Sequence, residues 1–434
     1  MSTPPKSGFC SYLRAGRAPA KTRRSRTTPV LILLILLLTA SYLGRFGVED
    51  LNEALTFMGR VTGAGLIVAS IAALLGGAAV MDYWFRGSFP HSGIVALVGT
   101  VAAALTNLMV LLEVANGDSR YYMAASILLT AGSAWAVFAV GRMSVEIPAP
   151  KRLAVAVLAS TVFAIANFGY QNLYQPYQHG ARPIIKLVMG NPELSMDRKS
   201  FAIPVDITLD NHSDVGFYVM GAEFHAMGQK VTVSASDRLR QQWRDDAKQW
   251  SKSQEKSPLS RREIHQAGQL VAAQPWMVQG NWIEASDSFV TRTVVQLPID
   301  TPYDQVSFYA TASFARKDRL GLDSVRFDRD SWSGGKVPHW MKEQENFDSL
   351  IYTGRVHENN SINARTMDPR FVDVYWKFGT QGAAVFSSIT RKGEEDRTPS
   401  DAENRAVSNR YGLVDVVTGP IQRSLWDIKI KSRQ

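Results

Sequence analysis

The spacing of hydrophobic positions changes once along this chain, near residue 170. Before that point they form charge-free runs, at Thr27–Gly44, Val61–Met81, Ser92–Leu112, Tyr121–Gly141 and Leu153–Tyr170. Each run is about as long as the roughly 20 helical residues needed to cross a hydrocarbon core. The connections carry residues typical of a bilayer edge: "DYWFRGSFP" (82–90), the turn "ANGDSR" (115–120) and the proline-containing "RMSVEIPAPKR" (142–152). This pattern predicts a membrane protein with five transmembrane α-helices.

From residue 171 onward a period of two takes over. In "FAIPVDITL" the residues Phe201, Ile203, Val205, Ile207 and Leu209 share one face, and "NHSD" (211–214) breaks the run before "VGFYVMGAEFH" resumes it. The same alternation recurs through Val306, Phe308, Ala310, Ala312 and Phe314, and through Val372, Val374, Trp376 and Phe378. Such segments read as half-buried antiparallel strands, and a β-sandwich hides one face of each. "FVTRTVVQLPI" (289–299) and "SLWDIKI" (424–430) read as further strands.

A helical insert is expected over about 236–272. There Leu239, Trp243 and Trp250 form a stripe after Ser236, and Ile264, Ala267, Leu270 and Val271 continue it. Another helix is expected in "PSDAENRAVSNRYG", stopped by Gly412. Residues 323–347 and 391–400 read as long loops. The expected architecture is thus a basic tail (1–26), a five-helix bundle (27–170) and a β-rich, sandwich-like domain with inserted helices (171–434).

Charge sets the expected orientation. Residues 1–170 carry 14 Lys+Arg against 7 Asp+Glu, while 171–434 carry 34 against 32. With a cytoplasmic N-terminus, the inside segments hold eleven basic residues, seven of them in 1–26. The outside loops hold three, Arg45, Arg60 and Arg120. Positive residues accumulate inside, so the β-rich domain is expected to be extracytoplasmic and the protein multi-pass in the plasma membrane. The first run is also short enough for a signal-peptide core cleaved near Thr39–Ser41, and that reading exports the same domain. Basic charge beside apolar spans reports membrane orientation rather than nucleic-acid binding. Arg outnumbers Lys by 32 to 16, which together with the Ala-rich spans points to a bacterium. The single cysteine, Cys10, allows no intrachain disulfide, so the second half must fold on its own core.

Gly65, Ala69, Ala73 and Gly77 recur every four residues in the second run and predict a helix-packing face, within one bundle or in an oligomer. No ionisable residue lies in the middle of a run, and Asn107 and Asn167 are expected to hydrogen-bond between helices. In the second half, "DRDSWSGGKVPHW" gathers Asp328, Asp330, Trp332, His339 and Trp340 in its least regular stretch, the expected binding surface for a protein or glycan. It lacks the terminal Glu of a calcium loop. No HExxH, paired Cys/His, Walker A or dinucleotide pattern occurs, so neither catalytic residues, a metal nor a cofactor are expected. "SQEK" (253–256) matches SxxK without its companion motifs. The functional expectation is a non-enzymatic cell-envelope protein. The alternatives are an accessory subunit of a transport or secretion complex and an envelope enzyme with a dispersed site.

Overall fold

The computed structural model describes residues 23–115, 117–142, 181–230, 241, 244, 245, 247, 248, 268–322, 328–331, 338, 347–379, 382–394, 396, 397 and 399–432. The chain divides into two compact units, Met1–His179 with Glu358–Asp368, and Gly180–His357 with Pro369–Gln434.

In the first unit the apolar runs form α1 (Arg23–Glu53), α2 (Phe57–Met81), α3 (Ser92–Val114) and α4 (Arg120–Gly141). All four are long and apolar enough to cross a membrane. The fifth expected span, Leu153–Tyr170, lies outside the described residues. The chain stops α2 with a π-helical turn, Asp82–Arg86, and then Gly87 at φ 60°. Short connections make sequential helices antiparallel neighbours. α1 runs past Gly44 to Glu53, and Phe46 is buried in that extension. The proposed cleavage region falls within α1, where Thr39 and Ala40 are buried.

The helices touch backbone to backbone at glycines. A Cβ on Gly63 would lie 2.8 Å from the carbonyl oxygen of Gly47, and one on Gly99 would lie 2.7 Å from that of Ala72. With little apolar driving force between helices in lipid, such close approach supplies the packing. Polar side chains add to it. Ser70 donates to the Ala40 carbonyl at 2.7 Å. The Asn107 amide donates to Thr39 on α1 at 3.0 Å and to Ser133 on α4 at 3.3 Å.

Among the described residues the second unit holds fourteen strands. Sheet A holds β1 (Ile184–Met189), β2 (Glu193–Leu194), β3 (Ser200–Asp210) and, further along the chain, β7 (Ser288–Pro298). Sheet B holds β4 (Phe217–Gln229), β5 (Gln269–Pro275), β6 (Trp282–Ile283), β8 (Gln305–Arg316) and β14 (Val414–Ser424). Sheet C holds β9 (Leu320–Leu322), β10 (Asp328–Ser331), β11 (Phe347–Glu358), β12 (Arg370–Gly379) and β13 (Gly382–Arg391). The pairings of sheets A and B are antiparallel, as are β10–β11, β11–β12 and β12–β13 of sheet C.

Two cores share sheet B. Phe217, Phe224, Phe308 and Phe314 pack with Ile203, Val205, Ile207 and Val295 of sheet A. Met220 and Ala315 pack with Val372, Val374, Val385 and Ile389 of sheet C. Sheet B is therefore covered on both faces, which is why β4 and β8 are buried almost without alternation. A Cβ on Gly221 would lie 2.9 Å from Val374, so sheet C approaches closely at that point. Pro204 sits inside β3 without disrupting it. Its missing N–H falls in the gap between the pairings of β2, which end at Ala202, and those of β1, which begin at Val205.

Three sequence expectations are corrected here. Leu270 and Val271, read as the end of the helical insert, lie on β5, where Leu270 pairs with Met227. Ladder pairing to a long central strand overrode a weak helical period. Of residues 424–430, read as a strand, Ser424 ends β14 and 425–430 are helical. Ser424 caps the helix Leu425–Lys431 by accepting from the Asp427 N–H. The stretch 323–347, read as one loop, contains β10. The expected helix before Gly412 is present at Asp401–Tyr411, with a Ser400/Glu403 capping box and Gly412 at φ 62°.

Candidate functional site

Asp328 and Asp330 fall on β10, opposite Thr353 and Ile351 of β11. Trp332, His339 and Trp340 lie outside the described residues. Among the small residues of α2, Ala73 is fully buried and a Cβ on Gly77 would lie 3.1 Å from Leu33. Ala69 is partly buried, and a Cβ on Gly65 would meet nothing within 4 Å.

The polar face of sheet B holds the most chemically distinctive cluster. Alternation along β4 sends Ala222, Phe224 and Ala226 into the core with sheet A and turns Glu223 and His225 to the other face. Glu223 is fully buried, and both its carboxylate oxygens lie 3.0 Å from the Nδ1 of His225. The imidazole stacks on Tyr309 of β8, its register partner, with ring centroids 4.7 Å apart. Trp276 donates its indole N–H to the Glu223 carbonyl at 3.1 Å.

Burial pushes the Glu223 carboxyl above its ordinary range, and the hydrogen bond and charge of His225 pull it partly back. Such a pair can hold a proton between two groups. Among the described residues, neither a hydroxyl nor a thiol is hydrogen-bonded to His225, and no group of three His, Cys, Asp or Glu side chains could hold a metal ion. His212 is exposed in the turn after β3, while His225 lies eight residues beyond Phe217 along β4, roughly 27 Å at the rise of a strand. The structure therefore does not bring these two histidines together.

A second cluster closes one end of the helix bundle. The chain between β11 and β12 forms a short helix, α5 (Ser361–Thr366), that belongs to the first unit. Asn360 caps it by accepting from the Asn363 N–H at 2.8 Å and donates to Glu113 at the end of α3 at 2.7 Å. The Ser361 N–H donates to buried Asp50 of α1 at 2.7 Å. Arg365 grips Glu49 with two N–H donors, Nε reaching Oε2 at 2.8 Å. The Thr366 carbonyl accepts from the Asp118 and Ser119 amides at 2.9 and 2.8 Å. Ile362 is buried against Leu43, Phe46, Leu66, Val110 and Val114. The acidic residues at this end are thus met by a guanidinium, an amide side chain and a backbone donor, and apolar contact lies beneath them.

Sequence reading missed both clusters. Glu-x-His in a strand is too common to signal anything alone, and nothing in "ENNSINARTMD" (358–368) marks it as a partner of helices some 300 positions earlier. Four membrane-type helices followed by a β-rich unit of antiparallel sheets define the class of this protein. No protein-family profile matches the chain, and no characterised protein matches it significantly. Among solved structures, the sporulation control protein Spo0M from Bacillus subtilis aligns at 8% identity over 59% of this chain and 95% of its own, with a TM-score of 0.19. So slight a likeness carries no argument about fold or function.

Proposed function

We propose that this protein is an integral membrane anchor of the cell envelope. It presents its β-rich unit outside the cytoplasm to bind a protein or glycan. The observation that carries the orientation is the packing of Glu358–Asp368 on the bundle end formed by the α1–α2 and α3–α4 connections. The opposite end carries Arg23, Arg24 and Arg26 at the start of α1, Arg86 after α2 and Arg142 after α4. That basic end is the one expected to face the cytoplasm.

Four crossings return the chain, at Arg142, to the end where α1 begins. Glu358 stands at the other end, so the intervening chain needs an odd number of further crossings. Leu153–Tyr170 is the charge-free run of spanning length in that interval, which supports the five-span reading. The tryptophan-bearing stretch 324–347 remains the part of the exported unit proposed to meet the partner.

A reporter enzyme fused after Gln434 and active only outside the cytosol tests the orientation. Activity is expected, and a reporter active only in the cytosol would refute the reading. Deleting 332–346, which spares β10 and β11, should abolish capture of envelope material while the β-rich unit keeps its circular dichroism. Undiminished capture would remove that stretch from the proposal.

A further inference from the structure

Among the described residues, sheet A ends in an unpaired edge. β1 and β2 register against Val205–Asp210 and Phe201–Ala202 of β3, whereas β7 registers against the whole of Ser200–Asp210. Two strands cannot share one side of a third at the same residues, so β1 and β2 occupy one side of β3 and β7 the other. The far edge of β7 presents backbone N–H and C=O groups that have no strand partner among the described residues. The strand faces solvent, with Val290 63% and Val294 48% exposed.

Other outer strands carry the features that discourage pairing. β14 contains Pro420, and its register with β8 shifts between Thr418 and Ile421. β5 ends at Pro275, and its register with β4 shifts at Ala226/Met227. β13 exposes one side chain, Ala384. β7 has none of these protections. Its pairing with β3 runs from Ser288 to Pro298 without a shift, proline occurs only at its last position, and it contains no lysine. Its one charge, Arg292, is bound to Asp206 at 2.6 and 2.9 Å.

We propose that β7 is the interface of a homodimer. Two copies pair this strand antiparallel about a two-fold axis through Thr293 and merge their A sheets into one. Pairing a strand with itself about a central residue keeps inner side chains opposite inner ones, as an isologous contact requires. In this register Thr293 faces its own copy, Arg292 faces Val294, Thr291 faces Val295, Val290 faces Gln296 and Phe289 faces Leu297. β-branched, aromatic and threonine pairs are favourable neighbours on a sheet. A centre at Arg292 would set two guanidiniums directly opposite each other. A centre at Thr293 avoids that clash and uses every residue of the strand. β7 lacks the charge to select an unlike strand, whereas it complements itself. The four apolar helices confine all copies to one layer of lipid, which raises the effective concentration of one β7 for another.

Cysteine pairing reads the register directly. In a Cys10→Ser background, full-length Val290→Cys and Gln296→Cys chains with different tags are expressed together and oxidised in native membranes. The two cysteines would have Cα atoms about 5 Å apart, within disulfide range. Two copies of Val290→Cys would have theirs about 20 Å apart, six residues along the strand. A disulfide between unlike tags, at least about fivefold above either variant alone, is the expected result. Val294→Lys would set an ammonium opposite Arg292 of the other copy twice over, and should lower dimer formation about tenfold in an unmutated-cysteine background followed by mass measurement in detergent. The proposal is overturned by absence of the mixed disulfide, by equal linking of the single variants, or by a dimer indifferent to Val294→Lys. Protection of the β7 amides from hydrogen exchange in membranes where the mixed disulfide does not form would assign the edge to an extended segment of another protein, and would equally overturn it.

Discussion

At the scale of single residues, Glu223 and His225 form the β-rich unit's most consequential pair. A carboxyl held above its ordinary range favours the fold while it keeps its proton. That contribution is lost as the pH rises from the unfolded-state value through the folded one. His225 limits the loss by meeting the charge that then appears. We expect His225→Ala to cost about 3 kcal/mol near neutral pH, where it strands a buried carboxylate. The cost should shrink strongly at about pH 3, below the ordinary carboxylate range, where Glu223 is protonated in both states. Urea unfolding of the full chain in detergent, followed by tryptophan fluorescence at the two pH values, checks this. Equal costs at both would mean that the ion pair is not what stabilises the site. Little of this was legible beforehand, because the alternation of β4 shows that Glu223 and His225 share a face but not that sheet C covers it.

At the scale of elements, the contacts between α2 and its neighbours depend on glycines that the four-residue spacing did not single out. The spacing through Gly65, Ala69, Ala73 and Gly77 identifies one face of α2, whereas Gly76, outside that spacing, meets Gly99 of α3, where a Cβ would lie 2.6 Å from the Gly76 Cα. A Cβ on Gly99 would lie 2.7 Å from a carbonyl oxygen, and backbone cannot yield as a side chain can. Gly99→Ala should therefore cost about 1–3 kcal/mol, read as a lower melting temperature in detergent. Gly65→Ala, which enters open space, should leave it unchanged. Lengths and boundaries of the helices were more legible than their contacts. The charge-free runs locate α2, α3 and α4 to within a few residues, because the bilayer imposes length and composition on each helix independently. The end of α1 was not legible, since Glu49 and Asp50 look like loop residues until Arg365 and Ser361 are seen to bind them.

At the scale of the whole molecule, the helix α5 joins a bundle whose other members precede it by more than 200 residues. Replacing Asn360–Thr366 by a Gly/Ser segment of equal length should open the bundle end that it closes. In a Cys10→Ser background, an Asp50→Cys thiol should react with maleimide about tenfold faster after that replacement, because Asp50 is 2% exposed beneath α5. An unchanged rate would show that α5 is not what shields the position.

The sequence by itself determined the two kinds of structure, apolar helices first and alternating strands after them. Apolar run length and two-residue alternation are local consequences of lipid and of the pleated sheet, and they do not depend on which neighbours an element finds. Only the tertiary structure decided that sheet B is covered on both faces, that Leu425–Lys431 coils rather than extends, and that α5 leaves the strands to pack on the helices. Those outcomes rest on contacts between residues far apart in the chain, where burial and satisfied hydrogen bonds outweigh local preference.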